Sequence, residues 1–273
     1  MKRIMFAASA LALAACSTHV QSSSGRDYLS KAPAPVRVAS LAGEGAGDAQ
    51  LGAIRAAASV EPLLRFPAKI GVARIEDGAL TPIPDAEMAA FAGALEATGG
   101  AYGDFVPLNL LVTAMAVPED QLGALSGGRG GAPLLRARQA VDAIRIGAAR
   151  QHMDAVMVYE VFGTSDARQS ALSVGDLTIL GAFLLPGREV DAMGHAEGLL
   201  IDVRNAYPYL TASETVTRDG MAATARSRKR GDELKAAAQL AAVEDMAATL
   251  PAAFAKLAVE LGNLPDERVA AAE

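Results

Sequence analysis

Apolar residues along the chain recur with two different spacings, and these spacings predict alternating strands and helices. Short apolar runs bounded by Gly, Pro or polar residues indicate strands, whereas apolar residues recurring every three or four positions indicate helices. The predicted strands lie at 68–75, 105–116, 155–161, 196–203 and 209–217, and the predicted helices at 85–97, 133–152 and 232–261. This order predicts an α/β fold with a mixed sheet.

Two of these elements are predicted to form the centre of the core. The run 155–161 is apolar without alternation, which indicates a strand buried on both faces. The last helix carries an apolar face made of Val243, Met246, Leu250, Phe254, Leu257 and Leu261. Pro251 should kink or split that helix, because proline removes a backbone donor and clashes with the preceding turn. We predict one α/β domain over 66–264, a single mixed-sheet sandwich with helices packed on the sheet.

The amino terminus has the pattern of a secretory leader. A basic start, Lys2-Arg3, precedes an unbroken apolar and small-residue run over 4–15, which ends at Cys16. A helix of about 12 residues rises only about 18 Å, well short of the roughly 30 Å hydrocarbon core of a bilayer. The run is therefore predicted to be a signal peptide, residues 1–15, rather than a membrane span.

The end of the leader, Leu13-Ala14-Ala15-Cys16, resembles the lipobox of bacterial lipoproteins. Small residues suit a peptidase groove, and a thiol accepts diacylglycerol far more readily than a hydroxyl does. We expect cleavage between Ala15 and Cys16 and a lipid, with palmitate, on Cys16. The alternative is an ordinary signal peptide in which Cys16 is incidental. Ser17 is not the aspartate that favours inner-membrane retention, so the expected location is the outer membrane, facing the periplasm.

The residues that flank the predicted domain are poor in large apolar side chains. Residues 16–65 are rich in Ser, Gly, Ala and Pro, which predicts a flexible tether from the lipid to the domain. Within this stretch, 36–38 alternate like an edge strand and 50–58 could form a short helix. Residues 265–273 are predicted to be a C-terminal tail.

Composition excludes several classes of function. The chain has 273 residues, a formal net charge of −6, one cysteine, no tryptophan and 4% aromatic residues. An acidic chain without a basic stripe is not expected to bind nucleic acid. One cysteine permits no internal disulfide, and so few aromatic rings argue against a carbohydrate-binding cleft.

No group of residues has the spacing of a catalytic or metal site. His19, His152 and His195 are far apart in sequence, without the pairing at one helical turn that metal ligands show. Glu160 and Asp202 lie in or beside strands, and capping or edge roles are favoured over a glycosidase pair, which needs a separation of about 5 to 9.5 Å. Gly-x-Ser-x-Gly, Ser-x-x-Lys and Walker motifs are absent. We therefore predict no catalytic, cofactor-binding or metal-binding residues, and no enzyme.

One apolar stretch is a candidate for contact with other molecules. It lies within 171–190 and its apolar residues are Leu177, Ile179, Leu180, Phe183, Leu184 and Leu185. It is too short and too interrupted to span a membrane as a helix, and either a core position or an exposed contact is open. The Gly-rich loop 126–131 is predicted to be a connector, and the basic cluster 226–230 a solvated face.

The order of elements in the second half of the chain resembles a known group of proteins. A helix ending at 148–154, the strand 155–161, the phrase Leu199-Leu200-Ile201-Asp202-Val203-Arg204 and the strand 209–217 carry this resemblance. They resemble periplasmic lipoproteins with an anticodon-binding-domain-like α/β fold. That group includes the rhombotarget lipoproteins, the curli secretion lipoprotein and the lipoprotein activators of peptidoglycan synthases. The resemblance implies a non-enzymatic envelope component that assembles with itself or with other proteins.

The sequence therefore favours a lipid-anchored periplasmic scaffold or assembly factor that works through protein–protein contacts. Its expected partners are the membrane, through the lipid on Cys16, and other envelope proteins or further copies of the chain. Two alternatives stay open. One is a subunit of an outer-membrane secretion pore in which 171–190 supplies membrane hairpins, although this stretch alternates poorly. The other is an envelope hydrolase that uses Glu160 or Asp202.

Overall fold

The computed structural model describes residues 17–31, 44–76, 78–118, 133–169, 188–223 and 226–262. The elements in chain order are β1 (Ser17–Val20), α1 (Gly25–Lys31), α2 (Glu44–Ala58), β2 (Ala68–Glu76), β3 (Ala79–Thr81), α3 (Asp85–Glu96), β4 (Gly103–Pro107), α4 (Leu110–Ala116), α5 (Pro133–Arg150), β5 (Ala155–Gln169), β6 (Arg188–Asp202), β7 (Pro208–Ala222) and α6 (Ser227–Glu260).

Seven strands of the described chain form one mixed sheet. Their order is β1-β7-β6-β5-β2-β3, and β4 pairs with β2 beside β3. β2 is parallel to β4 and β5, whereas β5, β6, β7 and β1 are successively antiparallel. Parallel neighbours need a crossover connection, and α3 supplies it between β2 and β4. The predicted α/β class with a mixed sheet and packed helices is confirmed.

The strand predicted to be central does bury both of its faces. Met157 and Tyr159 on β5 belong to the main core, which lies between the sheet and helices α3 and α6. Val156 and Val158, on the opposite face, pack in a second core cluster with Ile144 of α5. This two-sided burial is what the unbroken apolar run requires.

Helix α6 has the predicted apolar face but is not split. Val243, Met246, Leu250, Phe254 and Leu257 are fully buried, and Leu261 packs at the edge of the core. Pro251 lies inside one continuous helix, so of the predicted kink or split near Leu250, the split is wrong. Proline removes one backbone donor, but burial of Leu250 and Phe254 on either side holds the helix against the sheet.

Glycines on the strands allow α6 to lie very close to the sheet. A Cβ added to Gly163 would be 2.8 Å from the Lys235 Cγ, and one added to Gly194 would overlap the backbone of Ala238. The backbone at Ala238 cannot move aside as a flexible side chain such as Lys235 can. Only a residue without a Cβ therefore fits at Gly194.

The predicted strand 105–116 is partly wrong. β4 ends at Pro107, and α4 starts three residues later. The Asn109 side chain caps the helix by accepting a hydrogen bond of 3.1 Å from the Val112 N–H. This cap, together with the missing donor of Pro107, ends the strand and begins a helix in a stretch that is apolar throughout.

Strands β5, β6 and β7 are much longer than predicted. Each has 15 residues. β5 and β6 stay in register from Gln169 and Arg188 to Asp202, whereas the β6–β7 register shifts between Leu200 and Ile201. In the added part, most residues facing α6 are small or apolar, such as Val190, Ala192 and Gly194, and most residues on the other face are polar. The predicted strands thus cover only about half of each of these three strands.

Candidate functional site

The chain directly after the predicted lipid site is part of the sheet. Ala15 and Cys16 lie outside the described residues, but Ser17–Val20 forms β1, which pairs antiparallel with β7. The Ser17 and Ser213 hydroxyls are 2.8 Å apart, and Val20 is buried in the main core. These four residues are therefore an edge strand and not part of a flexible tether. Composition could not reveal the pairing, because Ser17 and its partner are 196 positions apart in the chain.

The residues that follow β1 are held at the turn between β6 and β7. The Gln21 N–H donates to the Tyr209 carbonyl at 2.8 Å, and the Tyr207 hydroxyl donates to the Ser23 carbonyl at 2.7 Å. The Asn205 side chain donates to the Glu61 carbonyl at 2.7 Å. The predicted helix at 50–58 is confirmed within α2, and the predicted strand at 36–38 lies outside the described residues.

Asp202 is the centre of a buried polar network. It is fully buried and accepts hydrogen bonds from the Arg204 N–H at 2.8 Å, from the Arg204 guanidinium and from the Tyr209 hydroxyl at 2.7 Å. The Tyr209 oxygen in turn accepts from the Leu63 and Leu64 N–H groups at 2.8 and 2.7 Å. Asp202 therefore fixes the β6–β7 turn to the segment that precedes β2.

These contacts set the charge state of the network. Burial alone would raise the pKa of Asp202, but hydrogen bonds from Arg204 and Tyr209 outweigh burial, and its pKa lies below the usual value. Burial, together with donation to Asp202, raises the pKa of the Tyr209 hydroxyl. The carboxylate is ionised and the phenol neutral at neutral pH, which suits a structural role.

The two candidate carboxylates of a hydrolase are not brought together. In the β5–β6 register, Asp202 is opposite Ala155, whereas Glu160 is opposite Glu197, five positions along the ladder. Five residues of a strand span about 17 Å, and an odd number of steps places side chains on opposite faces. This separation exceeds the range in which paired carboxylates hydrolyse a glycoside.

A second buried polar group joins α3 to β2 and β5. Glu87 accepts from the Arg74 Nε at 3.1 Å and from the Tyr159 hydroxyl at 2.5 Å. Arg74 also pairs with Glu76 at 2.6 Å. Burial and donation to Glu87 raise the pKa of Tyr159. Both hydrogen bonds are accepted by one oxygen, Oε2, in the interior of the domain.

Metal coordination and membrane crossing find no support in the described part of the chain. There, no group of three or more His, Cys, Asp or Glu residues could hold a metal ion. The helices seen in the same part of the chain lack the length and apolar character that crossing a membrane requires.

The long strands β5, β6 and β7 have an exposed polar face. Its side chains are on the face of the sheet opposite α6. They lie closer to Gln169 and Arg188 than the part of β5 and β6 that packs with α5. We name it the acidic face; its carboxylates are Glu160, Asp166, Glu189, Asp191, Glu197 and Asp219, and its large apolar residues are Phe162, Met193 and Met221. Those three apolar residues are 45%, 42% and 48% exposed.

Rows of directly opposed residues organise the acidic face. Asp166, Asp191 and Asp219 form one row across β5, β6 and β7. In another row, the rings of Phe162 and His195 stack with centroids 5.8 Å apart, and the His195 Nδ1 is 2.8 Å from the Thr215 hydroxyl. Like charges directly opposite each other are unfavourable in a sheet, so the aspartate row costs stability.

The sequence carries a signal for the acidic face that the apolar runs do not reveal. From Glu189 to Ala196, polar or exposed residues alternate with small or apolar ones. Period-two alternation predicts a strand with one exposed face, and it would have extended the predicted strand at 196–203 backwards. The predicted contact residues Leu177, Ile179, Leu180, Phe183, Leu184 and Leu185 and the loop 126–131 lie outside the described residues.

Comparisons with known proteins give only distant similarity. No protein-family model matches the chain, and no curated protein matches it significantly. Among solved structures, the chain is similar to the PelC dodecamer from Paraburkholderia phytofirmans, with 16% identity over 73% of this chain and 91% of that chain and a TM-score of 0.29. It is also similar to lipoprotein GNA1162 from Neisseria meningitidis, with 17% identity over 56% of this chain and 85% of that chain and a TM-score of 0.27. Similarity at this level assigns no function.

Proposed function

We propose that this protein is a lipid-anchored component of the bacterial cell envelope and acts as a non-enzymatic scaffold or assembly factor. The observation that carries the proposal is the leader, a basic start and a short apolar run that ends in Leu13-Ala14-Ala15-Cys16. In this proposal, cleavage before Cys16 and acylation of its thiol fix the domain to the outer membrane on the periplasmic side.

The position of β1 supports a short connection between lipid and domain. Ser17 follows Cys16 directly and pairs with Ser213 in the sheet. A lipid on Cys16 would hold the domain close to the bilayer, because no free chain separates the anchor from the first strand. This differs from the flexible tether that composition predicted.

The interior polar residues support a role without catalysis. Asp202 and Glu87, which are both buried carboxylates, are already bonded to Arg204, Tyr209, Arg74 and Tyr159. A general acid or base must be able to reach a substrate proton, and residues bonded in this way within the core are better suited to holding elements together. In this proposal the surface makes the contacts with other proteins. The acidic face exposes the apolar residues Phe162, Met193 and Met221 there.

Site-specific photo-crosslinking in living cells tests this function. We expect a photoreactive phenylalanine analogue at Phe162 to give discrete protein adducts in the membrane fraction. The matched control is the same analogue at Tyr28, an exposed aromatic residue of α1 that lies away from the acidic face. Cys16→Ser should release the protein from the membrane and remove the adducts. Absence of adducts at Phe162, or the same adducts at both positions, would argue against a scaffold that acts through this face.

A further inference from the structure

We propose that copies of this chain associate head to tail, with the acidic face of one copy bound to the basic start of α6 in the next. The inference rests on the proposed function, since it names the surfaces through which the envelope scaffold self-associates. The two faces of the sheet carry opposite charge at one end, which is formed by residues 160–169 of β5, 188–197 of β6 and 213–222 of β7.

One side of this end is strongly acidic. Within the described residues, the acidic face has six carboxylates and one cation, Arg168. All six are exposed or half-buried, so a partner can reach them. Because Asp166, Asp191 and Asp219 are directly opposed, a cationic partner would relieve their mutual repulsion.

The other side of the same end is basic. The start of α6 carries Arg226, Arg228, Lys229 and Arg230, which are all exposed. Lys229 and Arg230 lie 3.9 and 3.4 Å from the carboxylate of Glu233. With Asp232, which is also exposed, the start of α6 has two anions against four cations. Exposed pairs of this kind are weak and leave the cations free to exchange partners.

The two charged surfaces cannot meet within one molecule. A Cβ added to Gly231 of α6 would lie 3.1 Å from the Ser165 hydroxyl, and one added to Gly220 would lie 3.1 Å from Leu234. These contacts place the start of α6 against the strand residues that point away from the acidic face. The sheet therefore separates the two surfaces, and only a second copy brings them together.

The contact formed in this way joins two different surfaces, so a pair of copies retains a free basic surface on one copy and a free acidic face on the other. Such heterologous contacts continue from copy to copy until a ring closes or a filament forms. Phe162, Met193 and Met221 lie among the carboxylates and provide apolar area that would be buried at the centre of the contact.

Charge reversal of each surface tests the proposal on the full mature protein in detergent, with association measured by sedimentation velocity and native mass spectrometry. The first variant combines Asp166→Lys, Asp191→Lys and Asp219→Lys, and the second combines Arg228→Glu, Lys229→Glu and Arg230→Glu. We expect the unaltered protein to associate less as salt rises, and each variant alone to associate at least about tenfold more weakly. An equimolar mixture of both should regain association, because contacts between opposite charges can form again.

A matched control separates this contact from an effect of net charge. Asp85→Lys, Glu96→Lys and Asp104→Lys make the same change at exposed positions of α3 and β4 and should leave association unchanged. Should a lysine variant fail to fold, as judged by circular dichroism, Asp191→Asn with Asp219→Asn provides a milder change, and a flatter salt dependence is expected. A monomeric unaltered protein, an effect of the control, or no recovery in the mixture overturns the proposal. Acylation and photo-adducts to a different protein would then still uphold the proposed function.

Discussion

Gly194→Val is expected to prevent the domain from folding. Gly194 lies on β6 under α6, where any Cβ would overlap the backbone of Ala238 and Gln239. A valine would force α6 away from the sheet and open the core around Ala242 and Met246, which are fully buried. A side chain that overlaps backbone is among the most destabilising single substitutions, because backbone cannot rotate away as a side chain can. We expect a loss of about 4 kcal/mol or more in the free energy of unfolding.

Urea unfolding followed by circular dichroism measures this effect. Gly93→Ala is the matched control, because Gly93 is also a glycine of a regular element but has open space where a Cβ would be. Alanine there should be neutral or stabilise α3 by up to about 1 kcal/mol. If Gly194→Val unfolded at nearly the same urea concentration as the unaltered protein, the close packing of α6 on β6 would be wrong.

Asp202→Asn is expected to lower the stability by about 2 to 4 kcal/mol at neutral pH, since it removes the charge from a buried, multiply bonded carboxylate. The pH dependence has a definite sign. The pKa of Asp202 is lowered by folding, so the carboxylate stabilises the fold above its ordinary pKa of about 4. That contribution is lost as the pH falls through the lowered pKa, and the difference between the two proteins should shrink in acid.

Unfolding in urea at a series of pH values between neutral and strongly acid checks this prediction. Glu233→Gln serves as the control, because Glu233 makes only exposed ion pairs and its loss should cost less than about 0.5 kcal/mol. A stability gap for Asp202→Asn that stayed constant or widened in acid would contradict the role given to this network.

The parts of the fold that the sequence predicts well are those where burial leaves a local pattern. The run 155–161 is apolar because both faces of β5 are covered there, and the apolar face of α6 repeats at helical spacing because it lies on the sheet. Such patterns can be recognised without knowing which element packs against the strand or helix. They therefore predicted the α/β class and the central strand.

The parts that were missed depend on residues distant in the chain. Ser17 to Val20 form a strand only because the edge of β7 is available to them, and a polar stretch of four residues carries no mark of that pairing. The sequence singles out Asp202 as a carboxylate beside a strand, but it does not show the network around it, since Tyr209, Leu63 and Leu64 meet there only after folding. The acidic face differs from these two cases, because the alternation of polar and small residues that marks it lies within one segment of the sequence. Glycines and alanines at the positions that face α6 made this alternation hard to recognise.

Mass spectrometry of the N-terminal peptide tests the lipid anchor most directly. The protein is extracted from the membrane fraction and digested with trypsin, and the peptide ending at Arg26 is identified. We predict that it begins at Cys16 and carries a diacylglyceryl group on the thiol together with the fatty-acyl mass of a bacterial lipoprotein. A peptide that retains residues of the leader, or that has an unmodified cysteine, would contradict the account.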